Sequence, residues 1–259
     1  MKKYGLLLLV SLLTAGGSST PDDPYADPRD PFEDFNRGMW EFNRDVDKAV
    51  IKPAAETYEY IPQPIRTSLY QAVENLEEPS SFVNNLLQWK VADAGISLGR
   101  FVVNSTVGLV GLFDVATPMG LTKREESFGQ TLAVWGVPEG PYLMLPLMGP
   151  TVVVDRGGDY ADGQYFPYPL LSWPLDVARY AIKGLEMRLR LREQEQVLEN
   201  SLDPYSFVKD VYYQRWQDQV FDGNPPLEDE DFDDFDDFDD DWDADDEFDD
   251  SDDSGDESY

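Results

Sequence analysis

Between Pro31 and Ala49 Phe32, Phe35, Met39, Phe42, Val46 and Ala49 recur in alternating steps of three and four that draw one stripe along an α-helix. Asp30 is placed to cap that helix, Pro31 suits its first turn, and Glu33 stands at a capping-box spacing. Pro53 opens a shorter segment, PAAETYEYI, and Pro62 and Pro64 punctuate before IRTSLYQAVENL; each proline sits where a helix can begin. EEPSSFVNNLLQWK and VADAGISLGRFVVNSTVG continue helically. Further on, PLDVARYAIKGLEMRLRLREQEQVLEN mixes basic and apolar positions. DPYSFVKDVYYQRWQDQVFDG has Asp203 as cap, Pro204 as first residue and Gly223 as stop. Sustained two-residue alternation is almost absent, so the fold class predicted is all-α.

Two stretches break this regularity. Residues 101–122, FVVNSTVGLVGLFDVATPMGLT, carry one charge, Asp114; residues 137–154, VPEGPYLMLPLMGPTVVV, carry one, Glu139. Charge alone would make both transmembrane helices, but Gly108 and Gly111 loosen the first, and Pro141, Pro146 and Pro150 interrupt the second. Broken apolar backbone at membrane depth is tolerated only where protein or a water-lined cavity satisfies its polar groups. Composition leaves two readings open: an ordinary buried core with irregular connections, or a body seated against lipid whose broken segments enclose a cavity.

The ends differ from the body. Lys2 and Lys3, the apolar run Tyr4–Leu13 and the small residues Thr14–Ser19 make residues 1–19 an export signal, too short to span a bilayer. Residues 20–30 are a Pro- and Asp-rich linker, 31–223 the helical domain, and 224–259 an acidic tail expected to be disordered. Of the 52 acidic residues, 21 lie from Leu227 onward with no basic residue among them, so the net charge of −32 falls to −11 for the rest of the chain. A body of that sign offers no footing for nucleic acid, and contact with anionic lipid would have to be apolar.

The chain has no cysteine and no histidine. Disulfides, thiolate nucleophiles, Cys/His zinc sites and the commonest general base are thereby excluded. GISLG, residues 95–99, satisfies G-x-S-x-G, but its flanks read as continuous helix rather than the strand and turn of a nucleophile elbow. Ser97 with Asp162 remains conceivable as a lipid acyl hydrolase dyad, against a small residue packing between helices. No phosphate-binding loop occurs. Asp155, Asp159 and Asp162 cluster in DRGGDYADG at a spacing that fits no calcium loop, which favours helix capping and turn formation. No catalytic residue, cofactor or metal is expected.

DPFEDFNRGMWEFN, YIPQPIRTSLYQAVENLEEP, VNNLLQ, GRFVVNSTVGLVGLFDVA, FGQTLAVWGVPEGPYLMLPLMGP, DRGGDYADG, LSWP and SLDPYSFVKDVYYQRW together resemble, in order, the MlaA/VacJ family of outer-membrane lipoproteins. The resemblance runs from about residue 30 to 221. It implies an all-helical, ring-like protein in the inner leaflet of a Gram-negative outer membrane, enclosing an amphipathic channel. Misplaced phospholipids would leave the outer leaflet through that channel and pass to a soluble periplasmic carrier, beside a trimeric porin. The lipid path is expected around Phe101, Leu109, Leu112, Phe113, Tyr142, Leu143, Leu145 and Leu147. Arg179 stands where the family carries a basic residue near the channel, for a headgroup or for a helix-surface salt bridge. The chain departs from the family at Gly17, where a lipidated cysteine is expected. An altered sequence, cleavage near Gly16 by a general signal peptidase, or retention by the body's own apolar surface would each account for it. The alternatives are a structural porin-associated lipoprotein with no channel and the Ser97 hydrolase.

Overall fold

The computed structural model describes residues 27–226; the export signal, most of the linker and nearly all of the acidic tail lie outside them. Helix α1, Glu33–Val46, passes through a π turn, Asp47–Ile51, directly into α2, Lys52–Glu59. Pro53 stands in the first turn of α2, as its position in the sequence suggested. The π turn before it widens the backbone where the ring and missing N–H of Pro53 would otherwise break the ladder running on from α1. Then follow α3 (Gln63–Asn75), α4 (Glu78–Leu87), α5 (Val91–Thr106), α6 (Phe128–Val134), strands β1 (Tyr142–Leu145) and β2 (Gly149–Val152), α7 (Val153–Asp162), α8 (Trp173–Arg190), α9 (Glu195–Glu199) and α10 (Pro204–Val220). No helix among the described residues is long and apolar enough to cross a membrane.

The hairpin is the one departure from helix that the residue pattern missed. β1 and β2 pair antiparallel, Tyr142 opposite Val152 and Leu145 opposite Gly149. The turn is closed by Leu147 at φ 62° and Gly149 at φ 80°. With four residues between Pro141 and Pro146 and three between Pro146 and Pro150, alternation never runs long enough to be read. Both sides of the hairpin are then packed. The Asn36 side chain accepts from the Met144 N–H at 2.8 Å and donates to the Tyr142 carbonyl at 3.1 Å. Seven residues along the same face of α1, Asn43 accepts from the Leu147 N–H at 2.7 Å and donates to the Leu145 carbonyl at 2.8 Å. Two side-chain amides thus stand in for a third strand on the open edge of β1.

Under the hairpin Tyr142, Met144, Val152, Val154, Tyr205, Tyr213 and Trp216 form the aromatic core, with Met39, Trp40 and Tyr212 against it. The Tyr142 ring meets Tyr205 edge-on at 6.2 Å and Tyr212 at 6.0 Å. Asp30 lies in this core rather than at a helix end: Phe32 occupies the N-cap position of α1 and no side chain caps it. The Asp30 carboxylate instead accepts from Asn36 at 2.7 Å, the Tyr205 hydroxyl at 2.5 Å and the Lys209 ammonium at 3.3 Å. A buried carboxylate gains more from three convergent donors than from one capping bond at a wet terminus. Asp203 does cap α10, accepting from the Tyr205 and Ser206 N–H groups. Gly223 follows that helix at φ 79°.

Elsewhere burial is reversed. On α4 the buried residues are Glu78, Ser80, Ser81, Asn84 and Asn85 while Leu86 is exposed. On α5 Ala94, Ser97, Arg100 and Asn104 are buried while Val91, Leu98 and Val102 are exposed. The α1 stripe follows suit: Asn36 is fully buried, Phe35 and Phe42 are not. Arg100 joins Glu78 at 2.5 Å and donates to the Leu121 carbonyl at 2.7 Å, and Asn104 accepts from the N–H groups of Val115 and Ala116. These bonds hold the apolar segment after α5, where Leu109, Val110 and Gly111 all take positive φ. Gly108 and Gly111 tighten this segment. A Cβ at Gly108 would lie 2.2 Å from the Phe113 carbonyl oxygen, and one at Gly111 2.5 Å from the Asn75 Cβ.

Candidate headgroup cavity

Helices α3, α4, α6, α7, α8 and α10, together with the hairpin turn, each contribute to the wall of one cavity of about 400 Å³. Glu77, Glu125, Glu126, Asp155, Asp159 and Asp162 line it with Arg156, Arg179, Lys183 and Arg215; Val73, Met148, Tyr168 and Tyr180 supply the apolar parts. The helices that bring these residues together do so at close range. A Cβ on Gly158 of α7 would sit 2.1 Å from the Gly129 nitrogen of α6, so the two helices cross backbone to backbone. Ser127 and Gln130 form the capping box of α6. Asp162 at the end of α7 accepts from the Phe128 N–H at 2.9 Å, the Ser80 hydroxyl at 2.7 Å and Asn84 at 2.8 Å. The aspartate cluster read as caps and turns does include one such bond, and it also ties α4, α6 and α7 into one wall.

A smaller recess of about 260 Å³ opens beside this cavity, lined by Asp159, Tyr160, Gly163, Gln164, Tyr168, Asp176, Arg179 and Tyr180. The Arg179 guanidinium lies between two rings, 4.1 Å from the centroid of Tyr168 and 4.2 Å from that of Tyr180. Its Nε donates to Asp176 at 3.1 Å and one amino group donates to the Tyr180 hydroxyl at 2.9 Å. Arg179 is thus both a helix salt-bridge partner and a cavity residue. Desolvation in the cavity pushes the Asp159 carboxyl up to about 6, although Arg156 at 2.7 Å opposes the shift. The side chain is 47% exposed through the cavity, so water softens that shift. Burial likewise pushes Glu78 up to about 7, against its bond to Arg100. Glu74, Glu77 and Glu125 come within 4.8 Å of one another. Lys123 pairs with Glu74 and Glu125, and Lys183 with Glu77, so ammonium groups already match these carboxylates.

Of the residues expected along a lipid path, Arg179 lines the cavity and the other eight do not. Tyr142 and Leu143 are buried on β1, and Leu145 half-buried after them. Leu147 is 64% exposed in the hairpin turn, next to Met148, which does reach the cavity. Leu109, Leu112 and Phe113 stand exposed together on the segment after α5. Phe101 is half-buried, with Phe166 edge-on at 6.1 Å. The cavity wall is polar, and the residues sequence reasoning missed are its acids and tyrosines, Asp159, Tyr168 and Tyr180 above all. Only the DRGGDYADG cluster hinted at them. Ser97 is fully buried in mid-helix and donates to the Arg124 carbonyl at 3.3 Å, while both oxygens of Asp162 are engaged elsewhere. The two make no dyad.

These features define a class: a helical protein turned partly inside out, polar where its helices meet, apolar on outward faces, with a charged cavity walled by most of the chain. The comparisons agree on one family. The model of the MlaA lipoprotein family matches residues 28–219, and the chain belongs to that family. It is 37% identical over 218 residues to the intermembrane phospholipid transport system lipoprotein MlaA of Escherichia coli strain K12, covering 82% of this chain and 86% of that one. To the protein so named in Haemophilus influenzae it is 33% identical over 224 residues, 84% and 89% of the two chains. A solved chain from work on the structural basis for maintenance of bacterial outer membrane lipid asymmetry superposes with a TM-score of 0.70. That chain is 37% identical, and the match covers 75% of this chain and 99% of that one.

Proposed function

We propose that this protein carries phospholipids through its cavity as the outer-membrane component of an intermembrane transport system, and does so without catalysis. The observation that carries the reading is the reversed burial of α1, α4 and α5. Buried Glu78, Asn84, Asn85, Arg100 and Asn104 give a water-tolerant interior, while exposed Leu98, Val102, Leu109, Leu112 and Phe113 suit contact with acyl chains. Helices that hide polar faces and present apolar ones suit a surrounding of lipid better than one of water. The names of its relatives as phospholipid transport lipoproteins point the same way.

The body, residues 31–223, sits ring-like in the inner leaflet of the outer membrane after export directed by residues 1–19. Its apolar exterior holds it there, since a single acyl anchor adds only marginal binding. Arg179 meets the lipid phosphate. The exposed apolar residues of the 107–113 segment and of the hairpin turn, Leu147 included, contact the tails. Each CH₂ kept from water is worth ~0.8 kcal/mol, so sheltering two acyl chains removes most of the barrier to leaving the bilayer. Direction comes from a downstream sink, a soluble periplasmic carrier. A trimeric porin holds the ring beside the outer leaflet.

In cells, deletion should leave phospholipid on the outer face and lower detergent resistance, with the intact gene restoring both and Arg179→Asp failing to. Unchanged lipid asymmetry in the deletion strain would sink the reading.

A further inference from the structure

We propose that the recess beside Arg179 recognises a phospholipid headgroup bearing a primary ammonium, with Asp159 as the acceptor for that ammonium. The proposal rests on the transport reading above and names the substrate class it favours. The recess, about 260 Å³, shares Asp159, Tyr168, Arg179 and Tyr180 with the main cavity, so a group seated in it is still joined to whatever fills the larger space. Its size suits a headgroup and not a pair of acyl chains.

The two charged partners of a zwitterion are both present and both partly unspent. Arg179 uses Nε on Asp176 and Nη2 on the Tyr180 hydroxyl; no acceptor among the described residues engages its Nη1, and the ring sandwich fixes the guanidinium plane. Asp159 gives one oxygen to Arg156 at 2.7 Å, and no donor among the described residues reaches the other. Tyr160, 77% exposed on the same recess, offers an aromatic face to a cation.

The charge balance discriminates. In the recess Asp159 is paired with Arg156 and Asp176 with Arg179, and the six carboxylates of the main cavity face its four cations together with Lys90 on Glu126 and Lys123 on Glu125. A zwitterion keeps this balance, whereas an anionic headgroup leaves a negative charge without a partner. A primary ammonium also donates a charge-assisted hydrogen bond to Asp159, which a quaternary ammonium cannot. Desolvation of Asp159 strengthens the preference, because a bound ammonium relieves its cost.

The full-length protein in detergent, holding a tail-labelled fluorescent phosphatidylethanolamine, tests this by displacement. Unlabelled dioleoyl-phosphatidylethanolamine should displace the probe about tenfold better than its N-acetyl derivative, which keeps phosphate and tails but loses the ammonium. Asp159→Asn should bring that ratio to near one, Asp159→Glu should restore it, and Arg179→Ala should weaken both lipids alike. Circular dichroism and thermal melts confirm that each variant folds. Equal displacement by the two lipids in the wild type, or a ratio unmoved in folded Asp159→Asn, would overturn the ammonium site and leave the transport reading standing. No displacement by any phospholipid would overturn both.

Discussion

Around the hairpin, Tyr142, Tyr205, Tyr213 and Trp216 exclude water ring against ring; between α4 and α5 the buried side chains are Glu78, Ser81, Asn85, Arg100 and Asn104. The first region obeys the ordinary rule for a water-soluble core. The second bonds most of its buried polar groups to each other and to backbone, leaving Glu78 Oε2 and Asn85 Oδ1 unpaired, and turns Leu86, Leu98 and Val102 outward. On the transport reading proposed above, the difference marks which solvent each part of the chain is built for. Nonpolar packing then holds the first together against water, and on that reading hydrogen bonding holds the second together against a surrounding that supplies none.

The comparison breaks most sharply in a pair of substitutions. Trp216→Ala should cost about 3–5 kcal/mol in thermal or denaturant unfolding, by loss of buried ring and the cavity it leaves. Leu98→Ser with Val102→Ser should change stability in detergent by less than about 0.5 kcal/mol, because neither side chain is in the interior, yet weaken association with phospholipid vesicles. A large loss of stability in the second variant would mean that the exposed faces pack within the protein after all.

Next in size is the ion pair. Arg100→Met strands Glu78 and should cost about 3–5 kcal/mol, while Arg100→Met with Glu78→Leu should recover most of it. The double variant would still be impaired in lipid transport if the polar interior serves the passage. If the double variant is no more stable than the single, the pair is not what organises α4 against α5.

The smallest effect is in pH. The Arg37 guanidinium, 2.6 Å from Asp203, holds that carboxyl below its ordinary value of 3.8. Its contribution is therefore complete above about pH 4 and lost as pH falls through the lowered value. Asp159 runs the other way. Its value near 6 lies above the unfolded 3.8, so its contribution is complete below about pH 4 and lost as pH rises through 6. Asp159→Asn should remove a decline of under about 1 kcal/mol between pH 4 and 6, softened by cavity water. Asp203→Ala should steepen nothing there and instead cost about 1 kcal/mol at neutral pH, as a lost cap. Melting curves across pH 3–8 separate the two.

The sequence by itself determined most of the helices, though not α6 or α7, because period and capping are local. Proline and aspartate at Asp203–Pro204 and the stop at Gly223 needed nothing from elsewhere in the chain. The ordered motifs also determined the family. Tertiary structure alone decided which side of each helix faces in, since a stripe on α1 reads identically whether water or lipid lies beyond it. It turned Asp30 from a cap into the hub of Asn36, Tyr205 and Lys209, partners as far as 179 residues away. It made a hairpin of a proline-broken run by lending Asn36 and Asn43 to its edge. It assembled the cavity from Glu77 on α4's approach through Asp159 and Arg179 to Arg215 on α10. A charged wall gathered from six helices has no period along the chain, because burial and electrostatic pairing depend on distance in space.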